Sequence, residues 1–448
     1  MNILIPILAG SELRQFFHSH IAKDLIESGL LVYVIPKYDN IQLINEIKGI
    51  DDRIKILPHI MQPVSGSMFS YLRFLLDEHY DHENKRWRYS EKTNYNFWKR
   101  IIIAVFLNLL RINFIRRFLL SIEQYLLERI DVSQLEDLLI TNNISKLVLS
   151  NARFLSYPEL LIACKKLDIP VDVIYHSNKE IVAQPRINYS YHKFGVWNKQ
   201  MYDEMTYLYP QYKGKCHIIG NSHFTYLNGD VGILSYDYFK EYYNIKDNSL
   251  VILYTASGTI VRNEVFIVDY IAAILDKTSR NYKIIVRKNP MDTTDNWNSY
   301  FSNNNKICIQ NPKWVMDDII GLNYTKSNDL SEFKTLLKYI SFCINIPSTI
   351  TLECAIMKKP VINICFQFPD VNVVTNAGKI VEFWEAPFYK PYHGLDFVLP
   401  TFNLDQLKEQ IYVCIQDSQN FKDYDFCVKK QLGQEIGNVN KKILEFIS

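Results

Sequence analysis

The chain has 448 residues, more than one compact core usually organises, and this length suits two α/β domains of roughly 200 residues each. Hydrophobic residues make up 48% and charged residues 22%, a balance that excludes an intrinsically disordered chain. The formal net charge of +2 excludes the strong global field expected of a nucleic-acid-binding protein.

The first elements along the chain are a strand, a helix and a strand. The run ILIPILA is apolar, residues 11–28 have helical spacing up to Gly29, and LLVYVIP is apolar and rich in β-formers. This order predicts a βαβ unit, and the N-terminal run lacks the basic region and cleavage site of a signal peptide. The loop at residues 10–14 follows the first strand, at the end where open α/β sheets bind ligands.

The next part of the chain is less regular. Residues 62–100 are polar, aromatic and poorly periodic, which predicts an insertion or a mobile loop. Helical spacing follows over 98–142, and segment 98–120 combines a short apolar run with flanking aromatic residues and cations. Two interpretations stay open: a helix that rests on an anionic membrane surface, or a buried helix whose Arg side chains reach water at its ends. No segment reaches the ~20 apolar residues that cross a bilayer.

Strands and helices alternate through the rest of the chain, which indicates mostly parallel sheets. The composition changes over 228–249, so we predict an N-terminal domain at 1–235 and a C-terminal domain at 246–402. From 403 to 448 the pattern is helical. The strands predicted after the insertion are 146–150, 171–177, 192–198, 215–221, 250–257, 282–290, 306–312, 341–347 and 360–366.

The stretch SFCINIPSTITLECAIMKKPVINI, residues 341–364, predicts the most specific site. A strand ends at Pro347, and Ser348 and Thr349 open a helix that their hydroxyls can cap. Free amides and the helix dipole attract an anion there, such as a nucleotide diphosphate. Glu353 lies about one turn further along the same face and can accept hydrogen bonds from ribose hydroxyls. An ordinary capped helix with a surface Glu explains the same residues.

Two further strand ends carry candidate ligand contacts. Arg287 and Lys288 follow the strand YKIIV and could bind a phosphate or an acidic sugar, although a solvated charged loop is equally consistent. Ser257, Gly258 and Thr259 follow the strand at 250–257, and their small size would let the backbone approach a phosphate.

Taken in order, these motifs resemble those of bacterial surface-polysaccharide glycosyltransferases of the GT-B fold. In the N-terminal half the resemblance is carried by Val196-Trp197-Asn198 and by the turn at 220–224. In the C-terminal half it is carried by YTAS, Glu264, VRKNPMD and PSTITLECAIMKKPVINI, and it is best over residues 170–370. More distantly, the chain is similar to the CDP-glycerol glycerophosphotransferases of teichoic acid synthesis and to UDP-GlcNAc 2-epimerase.

The resemblance implies two Rossmann-like domains that face each other across a cleft, with the C-terminal helices crossing back to the first domain. It also implies that Ser348 and Thr349 hold the donor phosphates and that Glu353 binds the ribose. Asn289 departs from the family, which usually has His at this position. That departure implies an altered donor or a reduced activity.

An inverting sugar transfer needs a base for the proton of the acceptor hydroxyl. His176, at the end of the strand VDVIYHS, is the first candidate, and His223, in the turn after KCHIIG, is the second. A retaining enzyme would need no such base. We predict no metal and no cofactor, because the acidic pairs follow no buried strand and no His or Cys residues have zinc spacing.

These observations predict a metal-independent cytoplasmic glycosyltransferase, which the membrane-surface interpretation of 98–120 would place peripherally on the inner membrane face. It would transfer a sugar from a nucleotide-sugar to a glycan or lipid-linked acceptor in capsule or lipopolysaccharide synthesis. The alternatives are a CDP-glycerol- or CDP-ribitol-type transferase, a sugar-nucleotide 2-epimerase, and a non-catalytic scaffold in polysaccharide assembly. The eight cysteines form no CxxC pair, which predicts buried free thiols in a reducing compartment.

Overall fold

The computed structural model describes residues 1–38, 40–60, 68–84, 97–152, 158–258, 261–292, 296–317, 322–373, 379–417 and 420–448. The chain divides into two compact units. Unit 1 comprises Met1–His223, Asp317–Tyr324 and Asn438–Ser448, and unit 2 comprises Phe224–Met316 and Thr325–Gly437. The domain limits predicted from the sequence at 235, 246 and 403 stay predictions.

A parallel sheet forms the centre of unit 1. Its strands in the described residues are β1 (Asn2–Ile7), β2 (Leu31–Pro36), β3 (Lys55–Ile56), β4 (Lys146–Leu149), β5 (Val171–Ile174), β6 (Lys193–Val196) and β7 (Cys216–Ile218). They lie in the order β3-β2-β1-β4-β5-β6-β7, and all neighbours are parallel. The chain builds outward from β1 to β3 and then returns to β4. The topological switch point, where such sheets bind ligands, therefore lies between β1 and β4.

Helices connect these strands, as βαβ units require. In unit 1 they are α1 (Gly10–Glu12), α2 (Ile21–Glu27), α3 (Ile41–Ile50), α4 (Met68–Glu83), α5 (Phe97–Leu110), α6 (Asn113–Glu128), α7 (Ser133–Thr141), α8 (Pro158–Lys166), α9 (Glu180–Ala183) and α10 (Lys199–Leu208). The helical spacing predicted over 98–142 is confirmed by α5, α6 and α7.

The single helix predicted over 11–28 is wrong in detail. After α1, residues Leu13–His18 form a π-helix, and α2 starts only at Ile21. His20 separates the two with a left-handed backbone, φ 69°. Such a conformation cannot continue a right-handed helix, so the chain changes direction there.

The loop predicted over 62–100 is also wrong in part, because α4 occupies Met68–Glu83. Buried ion pairs hold this helix in place of a regular apolar stripe. Arg73 donates to Glu123 Oε1 at 3.1 Å, and Arg186 lies 3.1 Å from Asp77. These partners are far apart in sequence, so the helical periodicity of 68–83 alone gives no sign of them.

A second parallel sheet forms the centre of unit 2. In the described residues its strands are β8 (Leu250–Thr255), β10 (Tyr282–Arg287), β11 (Ile307–Gln310), β14 (Phe342–Asn345), β15 (Val361–Ile364) and β17 (Val398–Thr401). Their order is β11-β10-β8-β14-β15-β17. The chain again builds to one side of its first strand and then to the other, which places the switch point of unit 2 between β8 and β14.

Two short strand pairs accompany the main sheets. They join β9 (Val261–Arg262) to β16 (Asn372–Val373), and β12 (Trp314–Asp317) to β13 (Leu322–Thr325).

Among the remaining helices, α12 has the sequence VFIVDYIAAIL and packs seven of its eleven residues into the core of unit 2. They are α11 (Tyr236–Tyr243), α12 (Val265–Leu275), α13 (Asn296–Phe301), α14 (Ser327–Tyr339), α15 (Ile350–Ile356), α16 (Val381–Glu385), α17 (Leu404–Asp417), α18 (Tyr424–Leu432) and α19 (Val439–Ile447). The helical pattern predicted from 403 onward is thus confirmed where the structure describes it.

The last helix, α19, belongs to unit 1 and packs against α2. Asn440 Nδ2 donates to Ser19 O at 2.8 Å, and the ammonium groups of Lys146 and Lys193 donate to the last carbonyls of the helix, those of Ile447 and Phe446. Cations at the carboxyl end of a helix complement its dipole.

None of the helices in the described ranges is long and apolar enough to cross a membrane. All eight cysteines are free thiols, and all except the half-buried Cys308 are buried. The prediction of free thiols is therefore confirmed.

Candidate functional site

The carboxyl edge of the sheet in unit 2 carries a row of polar residues at the end of its apolar strands. Strand register places Thr255 of β8 beside Arg287 of β10 and Asn345 of β14. Asn345 in turn lies beside Asn363 of β15, and Arg287 lies beside Gln310 of β11. Because parallel strands end at the same edge, five polar side chains form one line there.

Buried hydrogen bonds fix the part of this row next to the switch point. Asn363 Nδ2 donates to Asn345 Oδ1 at 2.7 Å, and Asn345 Nδ2 donates to Ser348 Oγ at 3.0 Å. The Tyr389 hydroxyl donates to Asn363 Oδ1 at 2.8 Å and lies 2.6 Å from Thr351 Oγ1. Satisfied buried networks rigidify their surroundings, so the turn at Ser348 is held in a defined position.

The capping role predicted for Ser348 and Thr349 is wrong. Helix α15 starts at Ile350, its N-cap residue Thr349 has a helical backbone, and the Thr349 side chain makes no cap hydrogen bond. The Ser348 hydroxyl instead accepts a hydrogen bond from Asn345. Pro347 is buried, whereas Ser348 and Thr349 are exposed. Both hydroxyls therefore lie on the surface, where a ligand can reach them.

Glu353 lies on the first turn of α15 and is buried, not on the surface. The Tyr226 hydroxyl donates to Glu353 Oε1 at 3.2 Å. A buried carboxylate that a phenol orients is a strong acceptor for a further hydroxyl donor. The ribose contact assigned to Glu353 stays a prediction, and the position of its carboxylate is compatible with that contact.

The turn after β8 lies close to the turn after β10. Gly258 has a φ of 72°, and a Cβ at this position would lie 2.5 Å from Cβ of Asn289. Only glycine fits such a contact without displacing the backbone. Asn289 Oδ1 accepts from the Met291 amide at 2.9 Å, so the carboxamide shapes its own turn. Thr259, also predicted to bind the donor, lies outside the described residues.

Beneath this turn lies a carboxyl group that sequence analysis did not place in the site. Glu264 is buried, and its Oε2 accepts from the amide and the hydroxyl of Ser257 at 2.9 and 2.8 Å. Its Oε1 accepts from the Tyr254 hydroxyl at 2.8 Å. Burial raises the pKa of Glu264 to about 7, although the bonds from Ser257 and Tyr254 oppose the shift.

Glu264 is expected to make stability depend on pH. A carboxyl with a higher pKa in the folded state binds its proton more tightly there, so the free energy of unfolding falls as pH rises from 4.5 to about 7. Over this interval the free energy of unfolding of the wild-type protein should fall by up to about 3 kcal/mol relative to that of Glu264→Gln. Urea unfolding at both pH values measures the difference. Exposed Glu382→Gln is the control, and an equal difference between wild type and Glu264→Gln at both pH values would contradict the prediction.

Arg287 lies at the edge as predicted, but its guanidinium is occupied. Nη2 donates to Asp329 Oδ2 at 2.7 Å, Nη1 donates to Gln310 Oε1 at 2.6 Å, and the group stacks 4.4 Å above the ring of Phe333. These contacts explain Arg287 as a structural residue. Lys288 is buried, and its amide donates to Gln310 O at 3.0 Å. The phosphate contacts assigned to both cations stay predictions.

The carboxyl edge of the sheet in unit 1 carries a second polar group at its own switch point. Glu12, after β1, accepts from the Ser150 hydroxyl, which follows β4, and from the Ala9 amide at 2.8 Å. His176, after β5, places Nδ1 3.2 Å from Ser150 O and Nε2 3.4 Å from Glu180 Oε1. Both ring nitrogens thus face acceptors, and the catalytic role assigned to His176 stays a prediction.

His223 has the opposite environment in the same group. Its amide donates to Asn221 Oδ1 at 2.9 Å, and Asn221 Nδ2 donates to His176 O at 3.1 Å, which ties the two turns together. Burial lowers the pKa of His223 well below 6.5, and electrostatic interactions with Arg14, His176 and His18 lower it further. The imidazole is therefore neutral at neutral pH, as a proton acceptor must be.

With this geometry established, known proteins provide a comparison. No protein-family model matches the sequence, and no curated protein matches it. Among solved structures, the chain is similar to UDP-GlcNAc 2-epimerase from Neisseria meningitidis bound to UDP-GlcNAc, at 14% identity and a TM-score of 0.57 over 99% of each chain. UDP-GlcNAc 2-epimerase from Methanocaldococcus jannaschii has 13% identity and a TM-score of 0.53 over 100% of this chain and 99% of its own. A glycosyltransferase from Rickettsia africae has 13% identity and a TM-score of 0.51 over 100% of this chain and 94% of its own.

The chain has the GT-B fold. Its two Rossmann-like sheets confirm the fold class predicted from the sequence, and identities this low establish the fold alone. Within the described residues of this GT-B chain, no three His, Cys, Asp or Glu side chains meet as ligands for a metal. A metal-independent reaction stays a prediction.

Several site residues were missed by sequence analysis, namely Glu12, Ser150, Glu180, Tyr226, Asp329 and the pair Asn345 and Asn363. For most of them one signal was present, because in a GT-B chain the residues that end parallel strands meet at one edge. Asn345 and Asn363 end β14 and β15, and Ser150 follows β4. Tyr226 and Asp329 lie outside strand ends, and no local pattern marks them.

Proposed function

We propose that this chain is a glycosyltransferase whose nucleoside-diphosphate-sugar donor binds at the switch point of unit 2. The observation that carries the proposal is the pair of turns after β8 and β14, which flank the point where the strand order reverses. Gly258 brings backbone within reach in one turn, and Ser348 and Thr349 expose hydroxyls in the other. Ligands of open α/β sheets bind in this place.

In this proposal the diphosphate lies against the Ser348–Thr349 turn and the Ser257–Gly258 turn, where amides and hydroxyls donate hydrogen bonds to its oxygens. The carboxylate of Glu353 accepts hydrogen bonds from the ribose. In this proposal Arg287 does not bind the diphosphate, because Asp329 and Gln310 already bind its guanidinium.

In this proposal His223 is the base that takes the proton of the acceptor hydroxyl. As the acceptor oxygen attacks the anomeric carbon, its proton passes to the neutral imidazole. The bond between that carbon and the diphosphate oxygen breaks, and the diphosphate leaves with the electron pair. The acceptor is a cell-surface glycan or lipid-linked sugar, and neither metal nor cofactor takes part.

A sugar-nucleotide 2-epimerase is the second candidate. The observation that favours it is the likeness over nearly the whole chain to UDP-GlcNAc 2-epimerases from Neisseria meningitidis and Methanocaldococcus jannaschii. The polar edge of unit 2 would bind the nucleotide-sugar of this reaction as well.

Thermal-shift measurements with UDP-, CDP-, GDP- and CMP-linked ligands test the donor site, since a ligand that binds only the folded state raises its melting temperature. Glu353→Gln is expected to weaken binding of the stabilising nucleotide roughly 10- to 100-fold, the worth of a hydrogen bond to a charged group. Glu382→Gln, an exposed Glu on α16, should bind as wild type does. Unchanged affinity of Glu353→Gln would remove the ribose assignment.

Product analysis separates the two reactions. Incubation with UDP-GlcNAc alone gives the C2 epimer of its sugar if the chain is an epimerase. A transferase releases free nucleoside diphosphate only when an acceptor is added, which a panel of mono- and oligosaccharides can supply. Stabilisation by CDP-linked ligands alone would instead favour a polyol-phosphate transferase, and failure of every nucleotide to bind would favour a scaffold.

A further inference from the structure

Helices α5 and α6 present a broad apolar surface to solvent. We call the α5–α6 surface the set of exposed apolar side chains Ile101, Ile102, Val105, Leu109, Phe114 and Phe118. Phe114 is 78% exposed and Phe118 is 57% exposed, and their rings stack with centroids 6.5 Å apart. Single exposed apolar residues are ordinary on a protein surface, but contiguous ones mark an interaction site.

The surface is not the core-facing side of these helices. Ile103 and Leu110 form the buried side of α5, which packs against α4 and α6. The exposed positions 102, 105 and 109 follow one another at helical spacing on the other side. The interpretation of 98–120 as a buried helix is therefore wrong in part, because both sides of α5 are apolar and unit 1 covers only one of them.

The sequence of the α5–α6 surface is rich in positive charge. Residues 97–122 contain five Lys or Arg residues and no Asp or Glu, whereas the whole chain has 50 basic and 48 acidic residues. Arg111 and Arg117 are exposed, and Arg116 is half-buried. Arg111 Nε lies 3.8 Å from Oε1 of the exposed Glu83. Exposed aromatic and aliphatic side chains flanked by cations match an anionic lipid surface, with acyl chains inside and phosphates outside.

We propose that the α5–α6 surface docks this protein on an anionic lipid bilayer. The charge argues against a second copy of the chain as the occupant, because a symmetric contact would bring two such basic segments together. A bilayer with anionic headgroups instead meets both features, since the apolar side chains enter its interface and the arginines contact its phosphates. This proposal is independent of the nucleotide site.

Co-sedimentation of the full chain with vesicles tests the proposal without any nucleotide. Vesicles of phosphatidylcholine alone and of an equal mixture with phosphatidylglycerol are compared at low and high salt. We expect binding to the mixed vesicles only, and weaker binding in high salt because exposed charges are screened. Phe114→Ser combined with Phe118→Ser should weaken binding at least about tenfold, and Arg117→Gln about fivefold.

Two matched variants control for the type of change. Phe426→Ser alters a phenylalanine that is 58% exposed on α18, and Arg280→Gln removes an exposed cation in unit 2; both should bind as wild type does. Unchanged melting temperatures show that the variants fold. The proposal is overturned if wild type does not bind mixed vesicles at low salt, or if the double Phe variant binds them equally. A second outcome would also overturn it: wild type does not bind vesicles, and sedimentation velocity shows that wild type is a dimer whereas the double Phe variant is a monomer.

Discussion

Replacing His223 with Asn is expected to lower the turnover number about 10²- to 10⁴-fold, the usual contribution of a general base. The pKa of His223 is held well below 6.5 by burial first and then by electrostatic interactions such as that with Arg14, so the wild-type ring can accept a proton throughout the neutral range. Asn keeps a polar side chain of similar reach but cannot take up the proton. Binding of the nucleotide, measured by thermal shift, should not change, because the proposed donor site lies in unit 2.

The pH profile gives an independent check of this role. Since the pKa of His223 is lowered, wild-type activity should persist below pH 6.5 and fall only at more acidic pH, where the ring becomes protonated. His20→Asn is the control: His20 is exposed and left-handed, a conformation that Asn accepts readily. If His223→Asn keeps full activity, or if wild-type activity already falls near pH 6.5, then another residue is the base.

The comparison of His176 with His223 shows what sequence could and could not decide. Both follow strands of a parallel sheet, so their place at the carboxyl edge of unit 1 was predictable from apolar runs and their ends. Their roles depend on neighbours that are distant in sequence. Ser150 and Glu180 supply acceptors to His176, whereas Arg14 and His18 lower the pKa of His223. Such environments arise only from tertiary packing.

The same distinction applies to the fold. Strands such as β8 and β14 are continuous apolar runs bounded by polar residues, a pattern typical of strands buried on both faces, and they were predicted well. Helix α4 was missed because charged residues occupy its buried side, where Arg73 meets Glu123 of α6. A periodicity argument counts these residues as exposed. The π-helix after α1 was missed because its six residues are too few for the sequence pattern to separate i→i+5 from i→i+4 spacing.

Replacing Asp329 with Asn is expected to lower the free energy of unfolding of unit 2 by about 3–5 kcal/mol, the typical cost of leaving a buried charge without its partner. Asp329 Oδ2 accepts from Arg287 at 2.7 Å, and Asp329 Oδ1 accepts from the Lys313 amide at 2.9 Å. The Asp329 and Arg287 side chains are 1% and 11% exposed, so water cannot compensate for the lost carboxylate. Urea unfolding measures the change.

An exposed ion pair of the same unit provides the matched control for this experiment. Asp276 lies 2.6 Å from Lys306, with side chains 53% and 50% exposed, and Asp276→Asn should cost no more than about 1 kcal/mol. Combining Asp329→Asn with Arg287→Gln should recover part of the loss, because no unpaired charge then remains buried. A cost for Asp329→Asn as small as that of Asp276→Asn would show that the pair is not structural. Arg287 would then be available for the phosphate contact that sequence analysis assigned to it.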